Sequence, residues 1–191
     1  MKTVRFILIF SLCIFFIGSC KKDNDIGGGD IDGIPSGKMS FSEFGMKAYF
    51  PENEWGKEIY EEYKSEGLEC IGTYLKESGN QGDYSVFILF MRFISSFENG
   101  DKANEKINEI KDIYDGLPRY SSVSGITSTK ISNYNASMIK SKTIEGSIEE
   151  SYYIYRKNRL YRIDLVMPED KVSTYYTRCM EIINTLEITD K

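Results

Sequence analysis

YSVFILFMRF, running from Tyr84 to Phe93, sets the architecture of this chain. Successive side chains along a strand point to opposite faces, and here both parities are apolar. Tyr84, Val86, Ile88 and Phe90 fall on one side, with Phe87, Leu89, Met91 and Phe93 on the other. A strand of that kind is covered on both faces, so layers must lie above and below its sheet. Leu68 to Leu75 reads as its hairpin partner, with the turn in Ser78 to Gly82. Ser151 to Val166 reads as a second hairpin turning at Lys157 and Asn158, because a two-residue turn needs positive φ and Asn tolerates it. That register sets Ile154 against Tyr161 and Tyr152 against Ile163. Met46 to Phe50, Ile126 to Ile131 and Ala136 to Thr143 supply further strands.

Helical spacing supplies the covering layers. Ala103, Ile107, Ile110 and Tyr114 form one apolar stripe, with Asp101 placed to cap it and Gly116 and Pro118 to end it. A closing helix follows Pro168, with Val172, Tyr176, Cys179, Ile183 and Leu186 on one side. The spacing of Trp55, Ile59 and Tyr63 predicts a shorter helix from Trp55 to Ser65, closed by Gly67. Helices on both faces of a largely antiparallel sheet make an α+β three-layer sandwich. Residues 41–191 form this single domain, long enough for a real core.

The first twenty residues read differently. Lys2 and Arg5 precede an apolar run from Phe6 to Ile17, the layout of a secretory signal. The run is too short for a spanning helix, which needs roughly 20 apolar residues. It ends in Ile17-Gly18-Ser19-Cys20, which resembles the lipobox of bacterial lipoproteins. The resemblance implies cleavage after residue 19 and lipidation of Cys20. Lys21, Lys22, Asp23, Asn24 and Asp25 then resemble the export signal of Bacteroidetes lipoproteins, which implies an outer-membrane location with possible surface exposure; a solvated tether start accounts for the same charges. Glycine-rich residues up to 40 read as a flexible linker. Asp30-Ile31-Asp32-Gly33 has the opening of a calcium loop, but Phe41 stands where the closing glutamate belongs.

Across residues 41–188 the pattern resembles the PsbP, Mog1 and DcrB group of domains. The likeness lies in an early strand ending at Phe50-Pro51 with Trp55 behind it, and in an amphipathic helix after a strongly apolar strand. The late Tyr152-to-Ile163 hairpin and a final helix ending in Ile183-Asn184-Thr185-Leu186 complete it. The resemblance implies a PsbP/Mog1-like sandwich with a binding or accessory role, and it brings no site residues with it.

The chemistry is bounded by an absence, since the chain contains no histidine. Catalysis relying on imidazole is excluded, and Cys70 and Cys179 alone make a poor zinc site. No phosphate loop or nucleophile elbow is present, so neither catalytic nor metal residues are assigned and no cofactor is implied. The full chain carries a net charge of −5, which becomes −7 once Lys2 and Arg5 leave with the signal, so nucleic acid is not an expected partner. In an oxidising envelope Cys70 and Cys179 could pair as a disulfide, or stay as two buried thiols. The late hairpin sets Tyr153, Tyr155 and Tyr161 beside Arg156, Lys157, Arg159 and Arg162, a mixture suited to an acidic or glycan ligand; the same tyrosines would equally fill the sheet core. The expected protein is a lipid-anchored, noncatalytic module with an envelope protein or glycan as partner. The alternative is a lipid-anchored hydrolase using carboxylates or a Ser-Lys pair.

Overall fold

Every apolar parity in the central strand finds a separate core. The computed structural model describes residues 38–41, 44–76 and 85–189. Its strands are β1 (Lys38–Phe41), β2 (Met46–Pro51), β3 (Trp55–Ile59), β4 (Leu68–Leu75), β5 (Phe87–Phe93), β6 (Tyr120–Val123), β7 (Thr127–Ile131), β8 (Tyr134–Thr143), β9 (Ser147–Arg156), β10 (Arg159–Pro168) and β11 (Glu187–Ile188). Two α-helices join them, α1 (Gly100–Gly116) and α2 (Val172–Ile183).

The main sheet runs β3-β4-β5-β10-β9-β8-β6, with β7 also paired to β8. All of its pairings are antiparallel. A second sheet has the order β1-β2-β11. From β5, Met91 and Phe93 join Ala103, Ile107, Ile110 and Tyr114 of α1 in one core. Val86, just before β5, and Ile88 and Phe90 within it join Cys179, Ile182 and Ile183 of α2, together with Met46, Ala48 and Phe50 of β2. The fold is therefore an α+β sandwich of three layers: α1, the large sheet, then α2 with the small sheet.

The late hairpin has the expected register, with Ile154 opposite Tyr161 and Tyr152 opposite Ile163. Lys157 and Asn158 take φ values of 47° and 59°, as its two-residue turn requires. Four sequence expectations change. Trp55–Ile59 is a strand, and only Glu61–Glu66 coils, as a 3-10 helix closed by Gly67 at φ 79°. Gly56 lies directly opposite Tyr74, and a Cβ there would stand 2.1–2.4 Å from that tyrosine ring, so ring-over-glycine packing on β4 overrides the helical spacing. At the start of α1 the cap is Asn99, not Asp101; its side chain accepts from the Lys102 amide at 3.0 Å. Leu186 lies beyond the end of α2 and reaches the core from the segment leading to β11. The linker expected up to residue 40 ends earlier, since Lys38, Met39 and Ser40 already pair with β2 in β1, while Tyr84, the Ser78–Gly82 turn, Cys20, the linker up to 37 and the Asp30–Gly33 motif lie outside the described residues. No helix among the described residues is long and apolar enough to cross a membrane.

Candidate functional site

The late hairpin distributes its tyrosines and cations over both faces of the sheet. Tyr153 is 1% exposed in the α1 core, and Tyr155 lies half-buried on the same face. The Tyr155 hydroxyl donates to Asn158 Oδ1 at 3.0 Å. Arg156 projects to the opposite face, over the Tyr134 ring at 5.3 Å. Arg159, its register partner, donates to the Ile94 carbonyl at 2.6 Å, and Lys157 is exposed at the turn. Arg156 and Arg159 are thus brought together, while the sheet separates them from Tyr153 and Tyr155. The seven-residue cluster suggested by the sequence does not assemble, because alternation along a strand sends neighbours to opposite sides. Tyr161 is buried in the α2 core and Arg162 in the α1 layer.

Beneath α1 lies a buried polar line. Arg162 donates to both Asp164 oxygens at 2.7 and 2.6 Å, and also to the Tyr114 hydroxyl. Its guanidinium is 5.6 Å from the ring centroids of both Tyr114 and Tyr153. The Tyr153 hydroxyl makes no well-formed hydrogen bond, Ser151 being the polar neighbour on its own strand. Further along the same face, Arg119 donates to Glu149 at 3.1 Å and Tyr120 donates to it at 2.6 Å. Burial pushes the Glu66 carboxyl up, against the opposing pull of Arg162.

Cys70 belongs to the α1 core and Cys179 to the α2 core, both as free thiols. The disulfide left open by the sequence is not formed, because the central sheet stands between them. Desolvation pushes both thiols up, Cys179 to about 12.

On the α2 side, Glu150 is 3% exposed and accepts from Lys140 at 2.7 Å, Tyr152 at 2.5 Å and Tyr176 at 3.0 Å. Burial alone would push this carboxyl up, but the three donors hold it below the usual glutamate range. Among the described residues, no group of three or more Cys, Asp and Glu side chains is arranged to hold a metal ion.

An open cleft of about 350 Å³ lies where β2, the turn into β3, and α2 meet. Tyr49 lines it, the buried Trp55 and Ile182 back it, and Glu54, Arg178 and Glu181 supply charge. Arg178 donates to Glu54 at 2.6 Å and sits over the Tyr175 ring at 5.6 Å. Thr185 ties the walls together, accepting from the Tyr49 amide at 2.9 Å and donating to the Ile182 carbonyl at 2.7 Å. The turn itself is fixed by the Glu54 amide on the Pro51 carbonyl at 3.2 Å. Sequence reasoning missed this site. Glu54 and Arg178 are 124 residues apart, and placing Trp55 in a helix hid the turn that brings them together. The one local signal was Pro51 followed closely by an acidic residue and the only tryptophan of the chain.

No protein-family model matches the sequence, and no curated protein matches it. Solved structures do resemble the fold. The solution structure of cyanobacterial PsbP (CyanoP) from Synechocystis sp. PCC 6803 aligns with 84% of this chain and 98% of its own length, at a TM-score of 0.56 and 11% identity. A crystal structure from Bacteroides thetaiotaomicron VPI-5482 aligns with 77% of this chain, at a TM-score of 0.52 and 13% identity. This chain spans less than half, 46%, of that protein's length. The fold is PsbP-like.

Proposed function

We propose that the chain is a lipid-anchored accessory module of the outer membrane that binds an envelope protein or glycan without catalysing a reaction. The observation that carries the reading is the division of labour among its charged groups. The buried carboxylates Glu149, Glu150 and Asp164 are committed to Arg119, Lys140 and Arg162, so they serve the fold. The cleft beside Trp55 gathers donors and acceptors in the open, as a binding site does. That commitment favours binding over the alternative, a hydrolase working through paired carboxylates. A PsbP-like fold fits an accessory role, although fold alone does not assign one.

The anchor half of the reading rests on Ile17-Gly18-Ser19-Cys20. Intact-mass analysis of the mature protein should place its amino terminus at Cys20, with acyl chains on that residue. Cys20→Ala should abolish incorporation of labelled fatty acid. A mature terminus elsewhere, or acyl chains retained by Cys20→Ala, would overturn the anchor. Affinity capture from solubilised envelopes should recover a partner reproducibly, whereas turnover by the purified chain in a hydrolase screen would reverse the choice between binding and catalysis.

A further inference from the structure

We infer that the cleft between the β2–β3 turn and α2 is a subsite for a short neutral saccharide, a step that rests on the reading of the chain as a binding module. Its volume, about 350 Å³, lies at the low end of the roughly 300–1,000 Å³ typical of small-molecule sites. The charge pattern selects the ligand. Glu54 and Arg178 are locked together at 2.6 Å and are each about one-third exposed (39% and 34%), so an acceptor and a multiple donor face solvent from one fixed pair. Glu181 adds a second acceptor from the next turn of α2. An anionic ligand would meet two carboxylates, and a cationic one would meet the guanidinium. A sugar hydroxyl donates and accepts at once, so it satisfies both kinds of group without carrying charge into the cleft.

The apolar walls suit the same ligand. Tyr49 is half-buried and offers ring surface for the C–H face of a sugar, while Trp55 and Ile182, 1% and 4% exposed, back the cleft from the core and hold that ring in place. Lys47 stands 4.8 Å from the Tyr49 ring centroid and covers part of that wall. Thr185 and the Pro51–Glu54 turn hold the walls in register, so the site is formed in advance of its ligand.

Trp55 is the only tryptophan and lies buried behind the cleft, so its fluorescence reports rearrangement of the wall while calorimetry reads binding itself. The full chain in detergent is titrated with a panel of neutral oligosaccharides of glucose, mannose, galactose and xylose, with oligogalacturonate and a basic decapeptide in parallel, by fluorescence and by calorimetry. At least one neutral oligosaccharide should bind and shift the Trp55 emission. Arg178→Ala and Glu181→Gln should each weaken that binding about tenfold or more, the scale of losing a charge-assisted hydrogen bond. Melting curves accompany each variant. Should Arg178→Ala fail to fold, Glu181→Gln at an exposed position decides alone. No binding by any neutral sugar, binding only by the acidic sugar or the basic peptide, or binding unchanged in the folded variants would each overturn the assignment. Such a failure, with a partner still captured from the envelope, would leave the accessory reading intact, and a Cys20 without lipid would leave the sugar titration unaffected.

Discussion

Arg162 and Asp164 sit two residues apart on β10, 5% and 7% exposed, each serving as the other's counter-ion. Removing one partner strands the other charge away from water. Arg162→Ala should therefore cost about 3–5 kcal/mol in chemical denaturation. Tyr153→Phe in the same core should cost well under about 1 kcal/mol, because the hydroxyl it deletes makes no well-formed hydrogen bond. Glu150 gives a pH test of the opposite face. Its folded carboxyl titrates below the unfolded value of about 4.3. It therefore adds stability above that pH and gives it up as pH falls through the folded value. Glu150→Gln should lower Tm at neutral pH, and the gap from the parent should narrow steadily below about pH 4. A gap independent of pH would mean that the donors from Lys140, Tyr152 and Tyr176 do not depend on the ionised carboxylate.

Among the elements, β3 and β4 show what the sequence hid. Tyr74 lies across Gly56, and a Cβ at Gly72 would stand 2.2 Å from the Tyr60 ring, so two glycines on paired strands each seat a tyrosine. Gly56→Ala forces the Tyr74 ring aside and should destabilise by about 1–3 kcal/mol, the usual cost of overpacking, read from denaturation midpoints. The doubly apolar β5 and the β9–β10 hairpin were legible from sequence, because periodicity and turn chemistry agree there over many residues. β3 was not. Its Trp55, Ile59 and Tyr63 spacing fits a helix by coincidence, and what makes it a strand is packing against a tyrosine 18 positions away. The short β6 and β11 escaped for a related reason: four and two residues are too few to show a period.

At the scale of the whole molecule, one sheet divides two cores, and the thiols report on both. Cys70 and Cys179 should resist a thiol reagent at pH 8 in the native protein and label together once denaturant opens the cores, adding two labelled thiols to the native count. Rapid labelling of one alone in the native state would show that its layer opens independently. The candidate cleft needed this scale too. A pattern read along the chain cannot see a pair 124 residues apart, whereas the hairpin cations were visible because they are contiguous, and contiguity on a strand is what scatters them.

The pairing of β1 with β2 has a mechanical corollary. Lys38 lies opposite Pro51, so the preceding chain joins the domain near the Trp55 end, away from the Lys157–Asn158 turn. A pull on that chain along the strand axis loads the four β1–β2 pairs in shear, all at once, and does not peel them open one at a time. A domain pulled from that end should keep β1 paired with β2, with the Lys157–Asn158 turn at the opposite end of the main sheet.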